Sequence, residues 1–112
     1  MPVIEKYESH IGTMRYIMFF CEMESSDTYA DGIAVIHDES ADPSWAWTLW
    51  TLQVPYDEID DVAVDMESAT PKYDTEGYSE TFGSLDELLD GLKAGEYDSY
   101  DEMKSGIVEF FS

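Results

Sequence analysis

MRYIMFFCEM, residues 14–23, is the stretch whose reading decides the fold. It is a largely apolar run rich in aromatic residues and Ile, bounded by Gly12 before it and by Glu24-Ser25-Ser26-Asp27 after it. A short run of this kind between polar punctuation reads as a strand buried on both faces. Working outward, Tyr29–His37 follows after a short polar connection, with Ile33 and Val35 alternating against Ala34. The pair therefore predicts an antiparallel hairpin. Asp38–Ser44 is a loop closed by Asp42-Pro43, and Trp45–Val54 is a third strand. Its large residues divide between two faces, Trp45, Trp47 and Leu49 on one and Trp50, Leu52 and Val54 on the other. Pro55 ends it, Ile59–Met66 reads as a fourth strand, and Tyr73–Phe82 as an edge strand or ordered loop.

The last third changes period. Ser84-Leu85-Asp86-Glu87 matches a capping box, in which the serine oxygen accepts from the amide three residues on and Glu87 returns the bond. Leu85, Leu88, Leu89 and Leu92 form an apolar stripe, and Gly95 stops the helix. Ser99-Tyr100-Asp101-Glu102 repeats the pattern, with Met103, Ile107 and Phe110 at helical spacing behind it. Gly106 weakens this second helix by about 1 kcal/mol relative to alanine. The expectation is a single α+β domain over residues 1–112: an antiparallel sheet of three to five strands packed with one or two C-terminal helices.

Charge is the anomaly. The chain has 26 Asp and Glu against five Lys and Arg, a formal net charge of −21. Solubility asks for a magnitude of only about 2–8 in a small domain. Between Arg15 and Lys72 there is no Lys or Arg, while 13 acids lie from Glu22 to Glu67. Three Trp, eight Tyr and five Phe supply enough aromatic mass for a packed core, unlike a disordered acidic segment.

Catalytic chemistry has little support. His10 and His37 share no metal-ligand spacing with each other or with Cys21, the single cysteine, which reads as a buried thiol. No Gly-rich phosphate loop and no nucleophile elbow occur, and carboxylate pairs arise by chance among so many acids. Asp27-Thr-Tyr-Ala-Asp31-Gly32 echoes a calcium loop but has Tyr29 at a ligand position and leads into a strand. The expectation is a protein without enzyme activity, metal or cofactor. MPVIEKYESH has no cationic start followed by an apolar core, so no signal peptide is expected, and no apolar stretch approaches the length of a membrane span. The chain is expected in the cytoplasm, or in a host's cytoplasm if phage-encoded, as a monomer or homodimer that avoids membranes.

Direct nucleic-acid binding needs cations that this chain lacks. The inverse fits: ordered carboxylates at strand or helix spacing repeat at about 5–7 Å and can occupy a cationic groove made for phosphates. Three rows could do this. The first is Asp57, Glu58, Asp60, Asp61, Asp65 and Glu67. The second is Asp86, Glu87 and Asp90, and the third is Glu96, Asp98, Asp101 and Glu102. Tyr73, Tyr78, Tyr97 and Tyr100 lie among these acids and are candidate anchors that would stack on a partner's arginines. In size, charge and lack of catalytic motifs, the chain resembles the small acidic inhibitors that phages and mobile elements direct at host nucleases: anti-restriction, anti-CRISPR and uracil-glycosylase inhibitors. That resemblance implies a basic nucleic-acid-binding enzyme as partner. Two other readings share the composition: an immunity or antitoxin protein that neutralises a cationic nuclease toxin, and an ordinary protein of a halophile.

Overall fold

The computed structural model describes residues 3–22, 28–59, 78–97 and 99–112. Among the described residues, five antiparallel strands lie in sequence order: β1 Val3–Ile11, β2 Met14–Glu22, β3 Tyr29–Asp38, β4 Trp47–Pro55 and β5 Tyr78–Phe82. Two helices follow, α1 Leu85–Ala94 and α2 Tyr100–Phe111. The α+β plan therefore holds, with an antiparallel sheet followed by both helices. The expected fourth strand over Ile59–Met66 lies, apart from Ile59, outside the described residues.

Within the run at 14–23, β2 is buried on both faces. Tyr16, Met18 and Phe20 enter one hydrophobic cluster with Ala30, Ala34, Trp50, Val54 and Ile59. Ile17, Phe19 and Cys21 enter the other with Ile33, Val35, Leu49 and the helix residues Leu88, Leu89, Leu92, Met103 and Ile107. The period of two in the strands and of three to four in the helices thus meets in a single layer contact. Gly106 has a packing reason. A methyl there would lie 3.1 Å from Phe19 Cζ, so the missing side chain lets α2 approach β2. Trp50 is 2 % exposed, and its indole N–H has no hydrogen-bond partner among the described residues.

Three sequence expectations need correction. β1 was not anticipated, because VIEKYESHI alternates charge with scattered apolar residues and carries no continuous apolar run. It pairs with β2 across the Gly12 turn, where Gly12 takes a φ of 61°. The third strand begins at Trp47 rather than Trp45. Asp42 caps a 3-10 turn, Pro43–Trp45, by accepting from the Ser44 amide at 2.9 Å. Finally, the two capping-box matches diverge. Ser84 is extended and accepts from the Glu87 amide at 3.2 Å, while Glu87 Oε2 accepts from the Gly83 amide at 3.2 Å. Ser99 makes no capping bond; its hydroxyl lies 3.5 Å from Cys21 Sγ inside the core.

Candidate interaction surface

Register places one row of side chains straight across the sheet at one end. His10 faces Arg15, Arg15 faces His37, His37 faces Trp47 and Trp47 faces Phe82. The C-terminal turn of α2 closes over this row. The Arg15 guanidinium donates to the Phe110 carbonyl and lies 4.8 Å from the Phe110 ring centroid. His37 stacks on Trp47 with centroids 4.1 Å apart, and Phe111 meets Trp47 edge-on at 4.9 Å. His37 and Trp47 are thus absorbed by packing, and Arg15 is spent internally rather than offered to solvent.

The opposite end of the helix-covered face is polar and partly enclosed. Cys21 faces Asp31 across β2 and β3, and Asp31 faces Gln53. Burial pushes the Cys21 thiol pKa up, and the Ser99 hydroxyl contact offsets part of that. Burial likewise raises the Asp31 carboxyl, and it raises the Tyr97 phenol together with the negative charge of Asp31. Cys21 is fully buried, as its sequence context implied.

The two helices sit side by side on the sheet and turn their polar sides outward. Asp86, Glu87 and Asp90 of α1 are exposed, as are Glu96 in the connection and Asp101, Glu102 and Glu109 of α2. Lys93 and Lys104 are the exposed cations of this layer. Glu96 holds a left-handed φ of 56°, which turns the chain between the helices. The second row and the described part of the third are therefore exposed on the two helices and their connection. The first row is not assembled among the described residues. Asp57 is exposed and Glu58 half-buried in a 3-10 turn, Tyr56–Glu58, while Asp60, Asp61, Asp65 and Glu67 lie outside the described residues, as does Asp98.

The aromatic anchors are redistributed. Tyr97 and Tyr100 pack against the helix-side core, so they do not stand clear of it as the sequence implied. Tyr78 lies on β5, and Tyr73 is outside the described residues. The side chain that stands out is one that sequence reasoning assigned to a strand. Trp45 is 56 % exposed on its 3-10 turn. The signal was present in Asp42-Pro43, since a capping residue followed by proline starts a turn and removes Trp45 from the strand.

Among the described residues, no three His, Cys, Asp or Glu side chains gather as a metal site would require. No described helix is long and apolar enough to cross a membrane. Comparison with family models, with curated proteins and with solved structures finds no match to this chain.

Proposed function

We propose that this protein is a non-catalytic acidic inhibitor that imitates the charge of nucleic acid and blocks the cationic nucleic-acid-binding surface of a target enzyme, in the manner of phage anti-defence proteins. The observation that carries this reading is the helical layer. Asp86, Glu87, Asp90, Asp101, Glu102 and Glu109 are exposed there on two helices fixed by buried leucine, methionine and isoleucine side chains, with Glu96 exposed in their connection. Carboxylates one helical turn apart lie about 5–6 Å from each other. A rigid array loses less entropy on binding than a disordered acidic tail of equal charge. With a net charge of −21, association with a basic groove is steered over long range and falls with salt.

The test is competition. The purified protein is titrated into a panel of basic nucleic-acid enzymes, comprising a restriction endonuclease, a CRISPR effector and a uracil glycosylase, with and without duplex DNA. A bound enzyme from which DNA displaces the protein supports mimicry. Binding that DNA leaves untouched removes it. Circular dichroism in low salt checks the premise, because a surface adapted to molar salt would unfold there.

A further inference from the structure

Trp45 is the most exposed large hydrophobic side chain among the described residues, and it stands on a loop built to hold it still. The Asp38 amide donates to the Ala46 carbonyl at 3.0 Å, closing the loop at its base. The Trp45 amide donates to the Asp42 carbonyl at 3.0 Å, and the Glu39 amide donates to the Thr13 carbonyl at 3.0 Å. Thr13 Oγ1 and Ser40 Oγ donate to Asp38 Oδ1 at 2.8 and 2.7 Å. The β5–α1 connection abuts the same turn. A methyl on Gly83 would lie 3.6 Å from Glu87 Oε2 and from the Pro43 and Ser44 carbonyls. Glu87 is thereby brought beside the tryptophan-bearing turn.

The exposed charges of this loop and of the first turn of α1 have one sign. Glu39, Asp42, Asp86 and Glu87 are exposed on the loop and on the first turn of α1. Asp38 beneath them is held below the usual carboxylate range, first by the Ser40 hydroxyl, then by the Ser40 amide and Thr13. No Lys or Arg occurs between Arg15 and Lys72, and Arg15 is engaged with Phe110. The next cation along α1 is Lys93, six residues beyond Glu87, or about 9 Å along the axis.

We infer that Trp45 is the anchor of the partner interface and that its occupant is an arginine side chain of a basic protein. The inference rests on the reading of this surface as a mimic and names the contact at its edge. A planar guanidinium can stack on an indole while its N–H groups pair with flanking carboxylates; a lysine ammonium pairs with the carboxylates but cannot stack as a plane. An exposed indole on an acidic loop therefore discriminates arginine from lysine, which a diffuse acidic surface does not.

The experiment uses the whole chain, isotope-labelled, titrated separately with nona-arginine and nona-lysine peptides under heteronuclear NMR. The Trp45 indole and the amides of residues 42–45 and 83–87 should shift first with the arginine peptide. Trp45→Ala should weaken nona-arginine binding about two- to fivefold, to the level of nona-lysine, at unchanged melting temperature. A Trp45 indole that stays still, or equal preference before and after the substitution, overturns the inference. So does a Trp45 resonance that moves on dilution of the free protein, which would assign the face to a second copy. The outcome is separate from the enzyme competition: DNA can displace the protein from an enzyme while Trp45 stays idle, and Trp45 can select arginine in a protein that DNA never displaces.

Discussion

Asp31 and Asp38 stand near the two ends of β3, and their surroundings push them in opposite directions. Asp38 sits at the surface and accepts from Ser40 and Thr13, which lowers its pKa. Asp31 is half-buried on the helix-covered face, and burial raises its pKa. The same division separates the two serines of the capping boxes. Ser84, at the Asp38 end, caps α1 from solvent. Ser99, at the Asp31 end, is 7 % exposed and turns its hydroxyl to Cys21. One end of the domain presents polar groups already supplied with donors, while the other encloses them in packing. Trp45 stands at the first kind of end.

Glycine substitutions should break this contrast most visibly. At the enclosed end, a methyl on Gly95 would fall 2.5 Å from Tyr97 Cε2, inside a ring that packs against the core. Gly95 has an ordinary helical φ of −73°, so the cost is steric and not conformational. Gly95→Ala should destabilise by about 1–3 kcal/mol in chemical denaturation. Gly83 at the open end meets nothing nearer than 3.6 Å, and Gly83→Ala should stay within about 0.5 kcal/mol. Equal losses at the two positions would show that both ends are packed alike.

The serines give the next largest difference. Ser84→Ala removes a cap and should cost about 1 kcal/mol. Ser99→Ala removes only a 3.5 Å contact to sulfur and should cost a few tenths. If Ser99→Ala cost as much as Ser84→Ala, the hydroxyl would be capping α2 after all.

The pH dependence follows from the two aspartates with opposite signs. Asp38 has a lowered folded pKa, so its stabilisation is present above the unfolded value of about 4 and is lost as pH falls through the folded value. Asp31 has a raised folded pKa, so the fold is favoured below the unfolded value and loses that advantage as pH rises through the folded one. Asp31→Asn should therefore raise the melting temperature near neutral pH and make little difference in acid. Thr13→Val combined with Ser40→Ala should lower it near neutral pH and move the Asp38 titration, followed by NMR, up toward the ordinary carboxylate range.

Much of this architecture was legible in the sequence. The run Tyr16–Cys21 announced a two-sided strand, and the leucine spacing from Leu85 to Leu92 announced α1, because in both cases burial follows the local period. β1 was illegible because it borders only β2 among the described strands and alternates charge in place of a continuous apolar run. Ser99 was misread because a capping motif reports what a helix start can do alone, whereas the buried Cys21 beside it decides where the hydroxyl goes. For the surface, sequence order could place Asp86, Glu87 and Asp90 on one outer face. It could not bring the Pro43–Trp45 turn against Gly83 and Glu87, since that contact joins segments some 40 residues apart.

Trp45→Ala tests the comparison where the smallest effect is expected. Deleting a tryptophan from a core costs about 3–5 kcal/mol. Trp50, 2 % exposed on the sheet face away from the helices, should behave that way. Trp45 is 56 % exposed and its turn is held by backbone and Asp42 hydrogen bonds that alanine leaves in place. Its removal should change stability by less than about 0.5 kcal/mol. Fluorescence should report the same asymmetry, since an aqueous quencher reaches Trp45 ahead of the buried Trp50. A loss of several kcal/mol from Trp45→Ala would mean that the ring supports the fold and is not held out for a partner. A silent substitution leaves a large apolar ring, kept exposed on a rigid acidic loop, with no structural task to account for it.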